Sequence, residues 1–221
     1  QRRGIGTGLL AAALEQLRAA GATSVTAASG GGAYIWPGVP RDLPAAVRFF
    51  ATRGWRHTHD TLDLVTDLAR YRPPPGAGER AASVGVTITR ASSADVASVL
   101  AFEATTFPSW ARWFSAASPE DILAARDGSG NIAGTLLFQG PSADTVFAPM
   151  RGPAAGTIGC VGVASQMQGH GIGTGMVARA SQILQQAGTR NCHIGWTTRE
   201  SFYRRAGYRP WRRYAMFTRP T

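Results

Sequence analysis

A five-residue turn, Gly-Ile-Gly-Thr-Gly, occurs twice in this chain, at residues 4–8 and 171–175. Each copy follows a glutamine placed three residues ahead of its first glycine, Gln1 and Gln168. Each is followed by a helix-forming run that stops at Ala-Gly. Glycines this dense are costly inside a helix, but they let a backbone turn sharply into a helix start. The first amides of a helix have no partner within it, so a strand, a glycine turn and a helix N-terminus together make an anion cradle. The feature predicts an α/β chain in which each turn grips a pyrophosphate.

The repeat extends beyond the turn. "LLAAALEQLRAAG" from Leu9 matches "MVARASQILQQAG" from Met176 as a helix. "TSVTAAS" from Thr23 matches "NCHIGWT" from Asn191 as a short strand. "RFFATRGW" from Arg48 matches "SFYRRAGY" from Ser201 as a short helix, a stopping glycine (Gly54, Gly207) and an aromatic opening a strand. The first copy carries an additional stretch around Trp36, Pro37 and Pro40, which reads as a stiff loop. Agreement of order and local spacing marks an internal duplication.

Between the copies lies "ARYRPPPGAGERAASVG", with three consecutive prolines that neither a helix interior nor a central strand accepts. It divides the chain into a first unit, residues 1–70, a linker, 71–84, and a second unit, 85–221. The second unit opens with a strand at "VGVTITRA" and a helix at "SSADVASVLAFEATTF", with Ser92 or Ser93 as N-cap and Asp95 in its first turn. Two strands joined at "DGSGN", a Gly/Pro/Ala loop to about Ala155 and a buried strand at 156–164 follow. The first unit holds only the part from the turn onward. Its front half is expected upstream, over about 80 to 100 residues by comparison with the second copy.

Composition narrows the function classes. No apolar run approaches the length of a membrane span, and no leader precedes the first motif, so a cytoplasmic protein is expected. Cys160 and Cys192 are too few for a disulfide framework and read as buried thiols, with a disulfide or a reactive pair as the sharper reading. The formal charge is +10, with every one of the 23 basic residues an arginine. A positive surface favours anionic partners. The arginines are scattered, apart from Arg204, Arg205, Arg209, Arg212 and Arg213, which read as a solvated face. A phosphate-rich cofactor therefore ranks above nucleic acid.

Two familiar phosphate turns fail on spacing. A dinucleotide-binding turn places its first glycine almost directly after the strand and a third glycine three residues past the second. Here Ala164–Gln168 separate Val163 from Gly169, and Met176 stands where the third glycine belongs. No Gly-Lys-Ser/Thr is present for a P-loop. Instead "VGVASQMQGHGIGTG" resembles the acetyl-CoA signature of the GNAT superfamily of N-acetyltransferases: a valine, five residues to Gln or Arg, then x-x-Gly-x-Gly/Ala. Val163, Gln168, Gly171 and Gly173 fall on it, and Gln1, Gly4 and Gly6 match it in the first copy.

The resemblance implies a tandem α/β fold whose central mixed sheet is split at the acetyl-CoA site. Val161 and Val163 on the strand, with Gln168, Gly169, His170, Gly171, Ile172, Gly173 and Thr174 in the turn, would hold acetyl-CoA as cosubstrate. No metal is implied. A primary amine of a small molecule, with an amino sugar one candidate, would attack the thioester directly. Tyr203, four residues before Gly207, would protonate the departing thiolate. The first copy has Phe50 there, which has no proton to give, so the first unit is expected to be degenerate. Two departures from the family pattern stand out: Trp196 occupies a position often taken by Asn, and the strand at 156–164 lacks the glutamate that often serves as base. Glu103, Glu200, His193 or a water chain remain as bases. Phe107, Trp110, Trp113 and Trp196 would line the acceptor site. A non-catalytic acyl-CoA-binding or scaffold protein with two degenerate units is the alternative. The protein is expected to be a monomer or homodimer.

Overall fold

The structure, a computed structural model, describes residues 4–28, 37–141 and 155–221. Gln1, Trp36 and the Gly/Pro/Ala loop at 142–154 lie outside the described residues. The chain divides into two compact units, Gln1–Leu62 with Arg212–Thr221, and Asp63–Trp211. The divisions fall inside two long strands, β3 (Arg56–Asp67) and β9 (Arg209–Pro220), not at the proline-rich stretch.

In the first unit, α1 (Ile5–Ala19) leads to β1 (Ser24–Ala27), β2 (Val39–Pro40) and α2 (Pro44–Ala51). The strand order is β1–β9–β3, with β2 also against β9. Both β1 and β2 run antiparallel to β9. Leu14, Ala27, Val39, Trp55, Ala215 and Phe217 form the core. Phe50 stacks on Phe217 at 5.9 Å and meets Trp55 edge-on at 5.2 Å. Of the α1 side chains only Leu14 is buried, and Ile5 and Leu9 are more than three-fifths exposed.

The second unit contains α3 (Glu79–Ala82), β4 (Thr87–Arg90), α4 (Val96–Thr106), α5 (Ala111–Ser115), β5 (Ile122–Arg126), β6 (Ile132–Gln139), β7 (Ala155–Val163), α6 (Ile172–Gln186), β8 (Asn191–Thr197) and α7 (Glu200–Arg204). The mixed sheet runs β3–β8–β7–β6–β5–β4. The β4–β5, β5–β6 and β6–β7 pairs are antiparallel, and β7–β8 is parallel. A parallel pair needs a crossover, and α6 supplies it.

Local chemistry explains the elements. Ser92 and Asp95 close a capping box ahead of α4, with the Ser92 backbone amide donating to Asp95 at 2.7 Å. At "DGSGN" the Asp127 carboxylate accepts from the amides of Ser129 and Asn131, each at 2.9 Å, and turns β5 into β6. Nine α6 residues are buried, including Met176, Val177 and Leu184. That contrast with α1 follows from a sheet lying against α6. The stretch read as a linker has structure of its own: α3 packs on α6, and the Tyr71 hydroxyl donates to the carbonyl of Ala206 at 2.9 Å.

Among the described residues, no helix is long and apolar enough to cross a membrane. Both cysteines are free thiols, and Cys192 is fully buried.

Candidate active site

The parallel ladder between β7 and β8 stops early. It runs from Ala155 opposite Asn191 to Ile158 opposite Ile194. Beyond that point β7 continues to Val163 and β8 to Thr197 without register between them. The other edge of β7 stays paired, with Gly159 opposite Leu137, Gly162 opposite Thr135 and Val163 opposite Gly134. The two strands therefore part, and the β7 backbone from Gly159 to Val163 faces the gap with its β8 side unpaired. Such an edge can take up an extended ligand through main-chain hydrogen bonds. The β6–β7 register slips between Thr135 and Leu137, and Cys160 adopts a left-handed φ of 48°. Both mark a bulge, a device common beside active sites because it re-aims side chains and amides.

The glycine turn follows directly. Gln168 donates from Nε2 to the carbonyl of Val163 at 3.1 Å and folds the turn back on the strand. Gly169 and Gly171 take φ of 86° and 78°. Gly171 is the N-cap of α6 and brings no side chain to cap it. The first helical bond is from the Gly175 amide to the Gly171 carbonyl, so the amides of Ile172, Gly173 and Thr174 have no partner within the helix. They form a positive-ended cradle suited to a pyrophosphate, and a Cβ at Gly171 would fall 2.8 Å from that of Arg80. The chain present thus fits coenzyme A at this turn. Arg80 braces it, donating to the carbonyl of Gly169 at 2.8 Å. Nothing in the sequence around Arg80 announces this; it comes from the proline-rich stretch. A groove of about 460 Å³ runs beside the strand end, lined by Phe102, Thr105, Phe107, Val163, Ser165 and Gln168.

The first copy of the turn has the same build. Gly4 caps α1 at φ 76° and ψ −5°, against 78° and 1° for Gly171. A Cβ on Gly6 would meet the Phe49 ring, and one on Gly173 would meet the Phe202 ring. The aromatic that packs beneath each turn therefore precedes Phe50 in one copy and Tyr203 in the other.

Tyr203 lies on α7 and is 7% exposed. Burial, with Cys160 nearby, raises its phenol well above the ordinary value, so it keeps its proton at any working pH. Cys160 is itself pushed up to about 12 by burial and by the neighbouring Glu103. A thiol held neutral is a poor nucleophile, which argues against an acyl relay through Cys160.

Glu103 is the largest polar surprise. It is 0% exposed on α4, accepts from the Thr135 hydroxyl through Oε1, and leaves Oε2 without a partner among the described residues. Burial pushes its carboxyl up to about 7. Its folded value thus lies above the ordinary 4.5, so the folded chain holds this proton more tightly than the unfolded one. The stabilisation is complete below the unfolded value and is lost as pH rises to about 7. Glu103→Gln is expected to raise unfolding stability at pH 8 by on the order of 1 to 3 kcal/mol and to add little at pH 4.5. Urea melts at the two pH values read the difference.

The four aromatic residues assigned to the acceptor side differ in their surroundings. Phe107 lies flat on Gly162 of β7 and stacks with Trp110 at 4.8 Å. Trp110 also packs on the α4–β5 core. Trp113 is 40% exposed under the Arg112 guanidinium. Trp196 stands 42% exposed at the end of β8, beyond the parting. Among the described residues, no cluster of three His, Cys, Asp or Glu side chains is placed to hold a metal ion.

A mixed sheet that opens at one parallel pair, beside an amide-lined turn, suits an extended ligand that ends in a pyrophosphate. The comparisons agree. Residues 118–210 match the family described as Acetyltransferase (GNAT) domain. Among solved structures it resembles a GCN5-related glucosamine N-acetyltransferase region of a fungal multi-domain GH3 β-N-acetylglucosaminidase. That match has 29% identity and a TM-score of 0.89, and covers 99% of this chain and 28% of the fungal one. A GCN5-related N-acetyltransferase from Sphaerobacter thermophilus matches at 23% identity and TM-score 0.73, over 100% of this chain and 69% of that one. A tandem GNAT protein from the clavulanic acid biosynthesis pathway matches at 19% and 0.68, over 100% and 71%. The last two share the fold. No curated protein shows a significant sequence match.

Proposed function

We propose that the second unit transfers an acetyl group from acetyl-CoA to the primary amine of a small molecule, an amino sugar such as glucosamine. The observation that carries this reading is the parting of β7 and β8 beside the glycine turn, with Tyr203 close to Cys160 at the bulge. The glucosamine N-acetyltransferase region of the fungal protein, alike over nearly this whole chain, supports the amino sugar.

In this reading Val161 and Val163 hold the cosubstrate along the strand, and residues Gln168–Thr174 wrap its pyrophosphate. Acetyl-CoA brings the acyl group as a thioester. Tyr203 gives its phenolic proton to the departing sulfur, a role its raised affinity for that proton keeps available. The first unit keeps the turn but has Phe50 in place of a proton donor, so it is structural or an idle binder. The runner-up, acyl-CoA binding without turnover, draws on the lack of a glutamate on β7.

Incubating the chain with acetyl-CoA and glucosamine separates the two. Thiol release matched by N-acetylglucosamine in a mass spectrum is the expected result. Calorimetric binding of acetyl-CoA with no thiol release on glucosamine or other primary amines would leave a binding protein.

A further inference from the structure

We propose that His193, held by Asp63, takes the proton from the acceptor ammonium, and that the acceptor lies over the open floor beside it. The proposal rests on the acetyltransferase reading above. His193 Nε2 stands 3.3 Å from Oδ2 of Asp63, whose residue is 4% exposed. A carboxylate at that distance would favour the tautomer with its proton on Nε2, leaving Nδ1 as the lone-pair nitrogen. Among the described residues no group hydrogen-bonds Nδ1, and the imidazole is 14% exposed. A carboxylate that fixes the tautomer and orientation of a reachable imidazole is the pairing that base catalysis requires.

The location suits the task. His193 pairs with Thr157, one position before the last β7–β8 pair, so it sits at the mouth of the gap. Thr157 and Gly159 follow on the same side of β7 by strand alternation. A Cβ built on Gly159 meets nothing within 4 Å. Among the described residues that side of the sheet thus leaves room at Gly159, just where the strands separate. The Trp211 ring stands edge-on to His193 at 5.7 Å and is 39% exposed, which gives the floor an aromatic side wall suited to a sugar face.

Asp63 does a second job. Its Oδ1 accepts the Trp196 amide at 2.9 Å, and Trp196 has a φ of 50°. A left-handed φ on a bulky aromatic residue is strained and persists only where its surroundings hold it. One carboxylate thus holds the bend that ends β8 and stands beside the imidazole. Glu103, the other carboxyl near the bulge, is sealed at 0% exposure and cannot touch an acceptor.

The protons balance. The acceptor nitrogen loses two: one goes to His193 and on to water, and the other replaces the proton that Tyr203 gives to sulfur. The N–C bond forms as the C–S bond breaks.

The test uses the full chain with acetyl-CoA and glucosamine. His193→Ala is expected to lower kcat by ~10²-fold or more while acetyl-CoA affinity by calorimetry stays within about twofold, and added imidazole should restore about tenfold or more of the loss. Asp63→Asn, which keeps an acceptor for the Trp196 amide, should lower kcat by ~10-fold and gain nothing from imidazole. Imidazole rescue is a readout that a purely structural histidine would not produce. Turnover by His193→Ala within about twofold of the parent, or a loss that imidazole leaves untouched, overturns the proposal while the acetyltransferase reading stands. A parent chain that binds acetyl-CoA yet releases no thiol overturns both.

Discussion

Tyr203→Phe should cut kcat by about 10²- to 10³-fold and leave acetyl-CoA affinity within about twofold, because a positioned acid contributes typically 10² to 10⁴. The substitution removes one oxygen from a side chain that is 7% exposed and packs edge-on with Phe202 at 4.7 Å. Phenylalanine fills the same space, as Phe50 already does at the matching position of the first unit. Stability should therefore hardly change, and the loss falls on turnover alone. Steady-state kinetics with thiol detection, beside calorimetry with acetyl-CoA, gives both quantities. Unchanged turnover would mean that Tyr203 only packs.

Gly171→Ala should weaken acetyl-CoA binding by about 10- to 100-fold. Two costs combine. An L-residue in the left-handed region costs about 1 to 2 kcal/mol. The new methyl would also lie 2.8 Å from the Arg80 Cβ, so α3 and the Gly169–Arg80 brace must shift. Gly4→Ala is the matched control: its φ of 76° gives the same strain, but a Cβ there meets nothing within 4 Å. It should leave the affinity of the second turn unchanged. Equal loss in both variants would mean that the first turn also holds the ligand.

The elements were largely legible because their signals are local. The Ser92–Asp95 capping box, the Asp127 turn and the left-handed glycines at 169 and 171 each depend on residues a few positions apart. The duplication could be read for the same reason, since the Gly-Ile-Gly-Thr-Gly turn and the helix-forming run after it recur with the same internal spacing, and Gly6 against Phe49 and Gly173 against Phe202 repeat one contact. The acceptor side was less legible. Phe107, Trp110, Trp113 and Trp196 are near one another in type, but whether an aromatic side chain stacks on a neighbour or faces a gap depends on tertiary packing.

The sequence by itself determined the glycine turn, the helix it opens and the contrast between Tyr203 and Phe50, because backbone conformation and proton chemistry reside in single residues and short spacings. Only the tertiary structure decided that β7 and β8 part after Ile158, that Arg80 braces the turn and that Asp63 stands beside His193. The last two meetings join positions far apart along the chain, 89 residues in the case of Arg80 and Gly169. Over such separations, sheet register and helix packing, not local preference, decide which side chains meet.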